Sequence, residues 1–568
     1  MKLTVDSKLI YMPADASISI EMTSPVLNDK TGSFSYPFPV PTAPNQKVLG
    51  WPGRLQRKGE ITEKEFVLED QGIQLLRGVI DFDSITREET GLILKSGALA
   101  FEDKLKGVTL SDLPFDRYQF PGVGNNMLDL NFANNLESGN NADNGMFVCY
   151  PFKVQGLTIN RVSGTNAYLM FYEDEYQSAP TRFTYSLQFK LSYILSKIFE
   201  YAGFTVTENQ LTGTFAERVV VVGKLFNVVV SNEMFESGLI LEAPDIDYLE
   251  FSDLMPDMEA LAFLEKVINL GVRIDMDNLR KTAVIYFQKG VLQAEPVRTF
   301  DKRELAGWEH YEEIESSGME LTYASQPDSL DTETGYEIHE TVSSYANLPA
   351  VNEDYQEKIV HVTSTDRDYK LVETETDVWQ WKRIGRLKPY LTGDGSDEYE
   401  IDVIVPPSIA HTHAGVTVEL PDLDTARDRS FEFMPVPFTM LLAWPKRDIG
   451  GVSWPLLTSD EKSVDGSITF DYNLTPKFLF DNCYGELITW QTFIKKKIIK
   501  YLKLSLSEAV RLNWRRMYII NGVPIVLDKV NMDVPYKGIV KIEGYKAALD
   551  IIPVPDDWEP YEPPFVIS

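Results

Sequence analysis

The alternation of hydrophobic and polar positions predicts a chain built mainly from short strands. Residues 18–22 and 357–362 alternate apolar and polar side chains with the period of a half-buried strand. The same alternation occurs at 400–405 and 415–420, and no long helical pattern interrupts residues 300–480. This central region is therefore predicted to be a β-barrel or β-sandwich, and the fold class of the chain to be β-rich α+β and multidomain.

Residues 191–202 carry the clearest helical pattern in the sequence. Apolar side chains recur there at i, i+3, i+4, i+7, i+8 and i+11, which places them on one face of a helix. Gly203 stands where a left-handed C-terminal cap belongs, and residues 204–207 then predict a strand.

A second helix is predicted after Pro256-Asp257, with Leu261, Leu264 and Ile268 on its buried side. Gly271 ends it, and residues 272–275 and 283–287 predict a hairpin around an Asp277-Asn278 turn. The helix–glycine–strand unit thus occurs twice. Two interpretations remain open, namely two ordinary connections or an internal duplication.

Residues 35–41 contain a proline at every second position. Proline cannot donate to a sheet ladder, so this stretch predicts an edge strand or an extended arm. Such an arm is suited to lie on a neighbouring surface.

The last part of the chain predicts a helix, a short strand and a hairpin. The apolar positions of the helix are Trp490, Phe493, Ile494, Ile498, Tyr501 and Leu502. Lysines 495–497 would lie on its solvent side, and residues 502–506 alternate as a strand. Asn521-Gly522 predicts a type I′ turn between strands 517–520 and 523–527, with Pro524 at a local edge.

These elements suggest five segments. They are an N-terminal β-domain (1–115), an Asn/Gly-rich loop with strands (116–185), an α/β domain with both helix–glycine–strand units (186–300), a second β-domain (301–480) and a C-terminal helix, hairpin and proline-rich tail (481–568).

The charge balance is strongly acidic. The 568 residues contain 85 acidic and 54 basic side chains, a formal net charge of −31. Such a surface repels phosphate and anionic lipid, which disfavours sequence-specific nucleic-acid binding. Solubility is one explanation of the charge, and a conduit wall that does not hold passing DNA is another.

Compartment signals are few. Cys149 and Cys483 are too few and too far apart in sequence for a disulfide framework, which fits synthesis in a bacterial cytoplasm. The first residues show no signal peptide, and no apolar run has the length of a membrane span, so none is expected.

No specific catalytic motif is present, and the sequence assigns no catalytic, cofactor-binding or metal-binding residue. His411 and His413 would share one face of a strand, as two metal ligands could, but a surface strand end explains them as well. Residues 393–398 have the oxygen density of a calcium loop without its spacing, so an acidic turn is the simpler interpretation. No cofactor is expected.

Two further patterns are compatible with carbohydrate chemistry. Asp81 with Asp83, and Asp245 with Asp247, would each place two carboxylates on one strand face, which raises one pKa if they are buried. Trp379 and Trp381 would share a strand face, as in a sugar-binding platform, although aromatic side chains serve more often in packing.

The stretches at 75–80 (LLRGVI) and 91–95 (GLILK) resemble the opening of tail-hub (baseplate hub, tail-associated) proteins of tailed bacteriophages. Residues 35–41 are similar to structural proteins of phages or prophages of gut Bacteroidetes, and residues 255–274 are similar to the hub pattern in which a helix leads into a strand–turn–strand.

The resemblance implies two tube-like β-barrel or sandwich domains with smaller α/β domains. It implies a homotrimeric structural virion protein, not an enzyme, which joins the tail tube to the tip and gates DNA passage. The implied partners are a tail tube or distal tail protein, the tape-measure protein and tail tip or fibre proteins, at the tip of the virion tail. The alternatives are a carbohydrate-binding or carbohydrate-degrading protein, and another distal-tail or receptor-binding component.

Overall fold

The computed structural model describes the chain in segments, and the statements below concern these residues. They are 1–24, 32–52, 64–119, 145–148, 150, 152–154, 157–159, 181–230, 248–277, 279–287, 298–300, 310–313, 319–323, 338–344, 347–356, 358–363, 367–373, 379–384, 390–392, 400–403, 409–412, 415–418, 433–434, 438–449, 452–458, 469–474, 476–484, 496–520 and 522–547.

The described chain is β-rich with short helices, which confirms the predicted β-rich α+β class. The strands are β1 (Lys2–Val5), β2 (Lys8–Leu9), β3 (Ile18–Thr23), β4 (Gly32–Ser35), β5 (Phe38–Pro41), β6 (Lys64–Asp70), β7 (Ile73–Ile85), β8 (Glu89–Gly97), β9 (Arg117–Gln119), β10 (Phe147–Val148), β11 (Phe152–Val154), β12 (Leu157–Ile159), β13 (Thr181–Lys190), β14 (Thr205–Asn209), β15 (Val219–Val230), β16 (Tyr248–Glu250), β17 (Val272–Asp277), β18 (Thr282–Phe287), β19 (Arg298–Thr299), β20 (His310–Glu313), β21 (Met319–Tyr323), β22 (Glu340–Val342), β23 (Ile359–Val362), β24 (Arg367–Glu373), β25 (Trp379–Ile384), β26 (Tyr390–Thr392), β27 (Glu400–Val403), β28 (Ile409–Thr412), β29 (Gly415–Val418), β30 (Phe433–Met434), β31 (Met440–Ile449), β32 (Val452–Thr458), β33 (Lys496–Lys503), β34 (Met517–Ile520), β35 (Val523–Val534) and β36 (Ile539–Lys546). The α-helices are α1 (Thr42–Asn45), α2 (Ala98–Leu105), α3 (Leu191–Ala202), α4 (Phe251–Leu254), α5 (Ala260–Ile268), α6 (Pro476–Leu479) and α7 (Leu506–Ala509).

One sheet of 14 strands joins the two ends of the chain. Its main path runs β2-β1-β6-β7-β8-β4-β3-β35-β36-β33-β20, with β5 beside β8, and β34 beside β35 and β19. The junction is the antiparallel pair of β3 and β35, in which Ile18 lies opposite Val534 and Thr23 opposite Lys529. The predicted 1–115 and 481–568 segments therefore contribute to a single sheet.

This sheet curls around one hydrophobic core, which we call the end core. Asp70, in the β6–β7 turn region, accepts a hydrogen bond of 2.8 Å from the Tyr536 backbone N–H in the β35–β36 turn. Gln71 Nε2 donates to the Tyr536 carbonyl at 3.0 Å, so strands that are far apart in the sheet meet across the core. The buried apolar side chains include Leu3, Val5, Ile18, Ile20, Phe38, Val40, Phe66, Leu68, Leu92, Leu94, Ile498, Leu502, Leu527, Val530, Val534, Val540 and Ile542.

A second core, the middle core, forms around α3, and the predicted helix is confirmed. Gly203 is its C-terminal cap at φ 77°, and its backbone N–H donates to the carbonyls of the last turn. The inward apolar stripe of α3 is completely covered, as at Ile198 and Phe199. The other buried members include Phe101, Leu105, Phe147, Leu187, Phe189, Val219, Val220, Val221, Val222, Phe251, Phe263, Leu264, Val267, Leu441, Leu442, Trp444, Leu457 and Tyr484.

The second predicted helix and hairpin are also present, as α5 followed by β17 and β18. Its buried side was predicted wrongly at Leu261 and Ile268, which are only partly covered. The fully covered positions are Ala260, Phe263, Leu264 and Val267. These four side chains belong to the middle core, and Leu261 packs against it while remaining partly exposed.

Both helix–glycine–strand units end in the same three-stranded sheet, of order β14-β18-β17. β14 runs parallel to the central strand β18, whereas β17 runs antiparallel to it. The units thus enter one sheet in opposite directions, as two ordinary connections do, and they do not form two separate copies of a domain.

The described strands of residues 301–480 belong to several sheets. The four-stranded sheet β22-β23-β24-β25 has its own buried side chains at Ile359, Val360, Val362, Tyr369 and Leu371. β21 lies between β26 and β27, β28 pairs with β29, and β30 to β32 join β15 of the middle core.

The predicted C-terminal helix is wrong over residues 496–502, since residues 496–503 form β33 between β36 and β20. Its first part, with Trp490, Phe493 and Ile494, lies outside the described residues. Positions 498, 500, 502 and 504 are buried, which is the period of a strand, but Lys500 occupies one of them and hides the alternation in the sequence. The predicted strand at 502–506 ends at Lys503, because Ser505 caps α7 and exchanges hydrogen bonds with Glu508.

The predicted hairpin of β34 and β35 is confirmed, with Ile520 opposite Val523 and Gly522 at φ 72°. The predicted local edge at Pro524 is wrong, because Pro524 pairs with Ile519 of β34 and its carbonyl accepts from the Ala547 N–H at 2.9 Å on the other side. Asn521 and the proline-rich tail lie outside the described residues.

Candidate assembly surface

The proline-rich stretch forms β5, an edge piece beside β8, which confirms its predicted edge position. Phe38 lies opposite Leu92 and Pro41 opposite Glu89. The side chains of Phe38 and Val40 enter the end core, while Pro39 is exposed. The surface beneath this arm is therefore β8 of the same chain.

The segment that follows β5 fixes an exposed apolar corner. Asn45, at the end of α1, exchanges two hydrogen bonds with the Tyr11 backbone, accepting from its N–H at 2.8 Å and donating to its carbonyl at 3.0 Å. The Trp51 N–H donates to the Gln46 carbonyl, which holds Trp51 one turn beyond α1. We call Leu9, Tyr11 and Trp51, which are 62%, 60% and 37% exposed, the arm corner.

The arm corner borders a strand edge that pairs with no further strand among the described residues. β2 pairs with β1 and is the terminal strand of the main sheet path. Its turn consists of Asp6 and Ser7, both at positive φ, as a type I′ hairpin requires. An open edge beside exposed apolar side chains is suited to contact another polypeptide.

The face of the large sheet that points away from the end core carries cross-strand ion pairs. Lys95 Nζ, on β8, lies 2.9 Å from Asp81 on β7 and 3.4 Å from Asp103 on α2. Partial burial raises the pKa of Asp81, but the hydrogen bonds from Lys95 and the Phe82 N–H outweigh it and hold the pKa below its usual value.

The same face shows two stronger clusters near the junction of the chain ends. Glu21 accepts hydrogen bonds from Lys529 at 3.0 Å and from the Tyr36 hydroxyl at 2.8 Å. Glu543 accepts from Lys497 at 2.8 Å and from Lys541 at 2.5 Å.

Burial raises the pKa of Glu543, and the two lysines more than compensate, so the net shift is downward. Carboxylates that are held ionised by lysines stabilise a packed surface, and they are poor proton donors.

The carboxylate pairs predicted from the sequence do not form a buried pair in the described residues. Asp81 and Asp83 are both exposed, and Asp81 is engaged by Lys95. Asp245 and Asp247 lie outside the described residues.

The predicted metal positions are only partly described. His411 lies in β28, and its side chain, His413 and residues 393–398 fall outside the description. Across the segments that are described, no three His, Cys, Asp or Glu side chains gather as a metal site.

Trp379 and Trp381 lie on one face of β25, as predicted, and both side chains are half-buried. The Trp381 indole N–H donates to the Pro349 carbonyl at 2.9 Å, and its ring meets Tyr355 edge to face at 6.0 Å. Trp381 therefore packs the four-stranded sheet and does not form an open platform.

Sequence reasoning missed the ion-pair clusters on Glu21 and Glu543. The signal was present in part, because Lys541, Glu543 and Tyr545 alternate with the buried Val540 and Ile542. The partners from β3 and β33 could not be deduced, since strand pairing is not written in local periodicity.

None of the helices in the described segments has the length and apolarity needed to cross a membrane.

Comparisons with known proteins give limited information. No family model matches the sequence, and no curated protein matches it. Among solved structures, the chain is similar to the 43 kDa tail protein of prophage MuSo2 from Shewanella oneidensis, with 6% identity, 96% of both chains covered and a TM-score of 0.33. It is also similar to the tail protein from Neisseria meningitidis MC58, with 7% identity, 96% of this chain and 95% of that chain covered, and a TM-score of 0.30. Similarities this loose do not establish a shared fold.

Proposed function

We propose that this chain is a structural component of a phage tail, and more narrowly the trimeric hub at its distal end. In this role three copies surround a passage, join the tail tube to the tip and control the exit of DNA. The resemblance of residues 75–80 and 91–95 to tail-hub proteins supports the assignment.

The observation that carries the proposal is the 14-stranded sheet built from both ends of the chain. Its outer face is covered with paired charges and half-buried aromatic side chains, and its β2 edge is open beside the arm corner. A broad, rigid, charge-matched face with an open edge suits contact between subunits.

The net charge of −31 agrees with a conduit. The clusters at Lys95, Glu21 and Glu543 on the outer face are ion pairs, so lysines compensate these carboxylates. In a ring, an acidic passage repels the phosphates of DNA and prevents it from binding to the wall.

The proposed partners follow from this position. A tail tube or distal tail protein binds above the ring, the end of the tape-measure protein enters it, and tip or fibre proteins bind below. We place the protein at the virion tail tip, in a phage of gut Bacteroidetes.

The test is the oligomeric state of the purified full-length chain, measured by mass photometry, with its shape observed by negative-stain electron microscopy. We expect a trimer with a central opening. A monomer at micromolar concentration with no ring would contradict the hub assignment.

Two variants locate the subunit contact. Leu9→Asp and Tyr11→Asp place charge on the arm corner, and we expect them to shift the trimer toward monomers because a buried charge without a partner opposes association. Ile338→Asp, at a side chain 46% exposed before β22, is the matched control and should leave the trimer intact.

A polysaccharide assay separates the alternative of a carbohydrate-active protein. Turnover that disappears in Asp81→Asn would favour that alternative. We expect no turnover, because a carboxylate paired with Lys95 and held at a lowered pKa is unsuited to donate a proton.

A further inference from the structure

The loop of residues 511–516, between α7 and β34, is one place where the end core and the middle core meet. The end core fixes this loop through Asn513, whose N–H donates to the Tyr518 hydroxyl at 2.6 Å. The Asn513 side chain in turn accepts from the Arg515 N–H at 2.9 Å. Tyr518 is 3% exposed and stacks on Phe300 at 5.2 Å, so the base of the loop is rigid.

Arg515 reaches from this base to the middle core. Its Nη1 lies 3.2 Å from Glu208 on β14, and its guanidinium carbon lies 5.6 Å from the centre of the Tyr286 ring on β18. Glu208 also accepts a hydrogen bond of 2.6 Å from Gln210, which orients the carboxylate. One side chain thus contacts two strands of the three-stranded sheet.

The surface under Arg515 is polar. Arg273 lies opposite Tyr286 across the β17–β18 pair, and Asp275 follows on the same face two positions later. The Tyr286 side chain is 1% exposed, and its hydroxyl has no hydrogen-bond partner among the described residues. Burial raises the pKa of Asp275, while Arg515 acts in the opposite direction. This seam therefore contains charged and hydroxyl groups, whereas each core is apolar inside.

A separate, apolar connection lies at α2. The chain leaves β8 through Gly97, at φ 70° and ψ −140°, a conformation that favours glycine. Phe101 of α2 then stacks on Phe199 at 5.4 Å and meets Phe204 edge to face at 5.7 Å, so α2 belongs to the middle core.

We propose that Arg515 is a clasp that holds the two cores in one relative orientation, and that its release lets them pivot about the Gly97–α2 connection. The clasp is polar and partly exposed, with Arg515 at 27% and Glu208 at 44%, so salt and competing charges weaken it. The pivot is apolar and remains intact. This inference concerns the joint within one chain and goes beyond the proposed role in assembly.

The experiment compares Arg515→Ala with Arg516→Ala in the full-length protein. Arg516 is the adjacent, exposed arginine and has no ion pair in the described structure, so it controls for loss of charge from the loop. Hydrogen–deuterium exchange is followed in peptides that cover β17, β18 and residues 511–518. Peptides from β35 and β36 report on the stability of the end core.

We expect Arg515→Ala to raise the exchange rate at β17, β18 and 511–518 by roughly tenfold, because these segments then open locally at a lower free energy than global unfolding requires. The exchange rate at β35 and β36 should stay unchanged. Arg516→Ala should match the parent protein. About 1 M salt should reproduce the effect in the parent and add nothing in Arg515→Ala, since it screens the same ion pair.

A distance measurement distinguishes a pivot from local loosening. Spin labels are attached at Gln74→Cys in the end core and Tyr201→Cys in the middle core, both exposed, in a Cys149→Ser background that keeps the buried Cys483. We expect the distance distribution to broaden in Arg515→Ala and in Glu208→Ala, and to stay narrow in Arg516→Ala. The clasp would be overturned if the distance distributions of Arg515→Ala and Glu208→Ala matched that of the parent protein. It would also be overturned if a folded Arg515→Ala protein showed the same change in exchange at β35 and β36 as at β17, β18 and 511–518.

Discussion

The end core and the middle core differ in how far apart in the sequence their most distant paired strands lie. The middle core grows from local units, in which α3 and Gly203 lead directly into β14, and α5 and Gly271 lead into β17. The end core depends on pairs such as β3 with β35, which join opposite ends of the sequence. A local unit can form early by itself, whereas the pairing of β3 with β35 closes a loop of most of the chain and carries a larger loop-closure entropy than the pairing of β15 with β31 in the middle core.

The two cores also differ in their chemistry. The middle core contains a connected group of aromatic rings, in which Phe147, Phe189 and Phe251 meet at centroid distances between 5.3 and 6.2 Å. The end core is mainly aliphatic inside, with a few rings such as Phe66, and carries ion pairs on its outer face, as at Glu21 and Glu543. The difference suggests that the middle core is stabilised by packing within the chain, while the outer face of the end core is prepared for contacts outside it.

Truncation of one buried side chain in each core should have the largest effect. Leu527→Ala in the end core and Phe199→Ala in the middle core, both at positions with 0% exposure, should cost about 2–5 and 3–5 kcal/mol of unfolding free energy. Each should reduce hydrogen-exchange protection in its own core only. Ile539→Ala and Tyr201→Ala, both at side chains 44% exposed, are the matched controls and should change little. Equal loss of protection in both cores would show that they unfold as one unit.

A pair of helix-capping glycines tests how tightly the middle core is packed. Gly203 and Gly271 have φ of 77° and 78°, so alanine is strained at both by about 1–2 kcal/mol. An added Cβ meets nothing within 4 Å at Gly203, but it would lie 2.4 Å from the Cys483 Cβ at Gly271.

Gly271→Ala should therefore cost a further 1–3 kcal/mol or so beyond Gly203→Ala, measured by chemical denaturation. Adding Cys483→Gly to the Gly271→Ala variant should remove most of this excess loss of unfolding free energy, because the Cβ that the new alanine meets is then absent. Equal costs for the two alanine variants would contradict the close packing of residue 483 against Gly271.

Lowering the pH should change the contributions of Glu543 and Asp275 to the stability of their cores in opposite directions. The pKa of Glu543 is lowered in the folded end core, so its contribution is present above its ordinary pKa of 4.5 and is lost as the pH falls through the lowered value. Burial raises the pKa of Asp275 in the middle core, so its contribution is greatest below its ordinary value of 3.8 and is lost as the pH rises through the raised value.

Exchange protection of each core, measured from neutral pH down to acid, checks this contrast. Glu543→Gln should flatten the acid loss of the end core, and Asp275→Asn should raise the stability of the middle core at neutral pH. The contrast fails if Asp275→Asn destabilises the middle core, because the carboxylate would then be a net favourable contact.

The contrast between the cores also explains what the sequence could predict. The periodicity of residues 191–202 and the glycine at 203 specified α3 and its cap, because both depend on neighbours within one helical turn. The Asn521-Gly522 pair specified the β34–β35 hairpin for the same reason. The pairs of β3 with β35 and of β20 with β33 join distant segments, and no local pattern encodes them.

The error at β33 shows how one residue can reverse a prediction. Residues 498, 501 and 502 fit a helical stripe, while the true period of two is interrupted by Lys500, which is 2% exposed on the core side. A buried lysine violates the usual partition of charge to solvent, so the sequence pattern favoured the helix. The ion-pair clusters of the outer face escaped prediction because each joins strands whose pairing was unknown.

The smallest effect should come from the ion pairs of the outer face, and it separates the middle of the sheet from its rim. Arg77 and Glu65 are 36% and 53% exposed, and a double-mutant cycle between them should give a coupling of about 0.2–0.5 kcal/mol. Glu21 is 8% exposed beside Lys529 and also accepts from Tyr36, so the Glu21–Lys529 coupling should be larger, about 1 kcal/mol. Salt should weaken the Arg77–Glu65 coupling more than the Glu21–Lys529 coupling, because dissolved ions screen an exposed pair more strongly than a partly buried one. Equal couplings with equal salt dependence would mean that Glu21 is open to solvent. The junction of β3 and β35 would then lack the covered polar cluster that distinguishes it from the rest of the sheet.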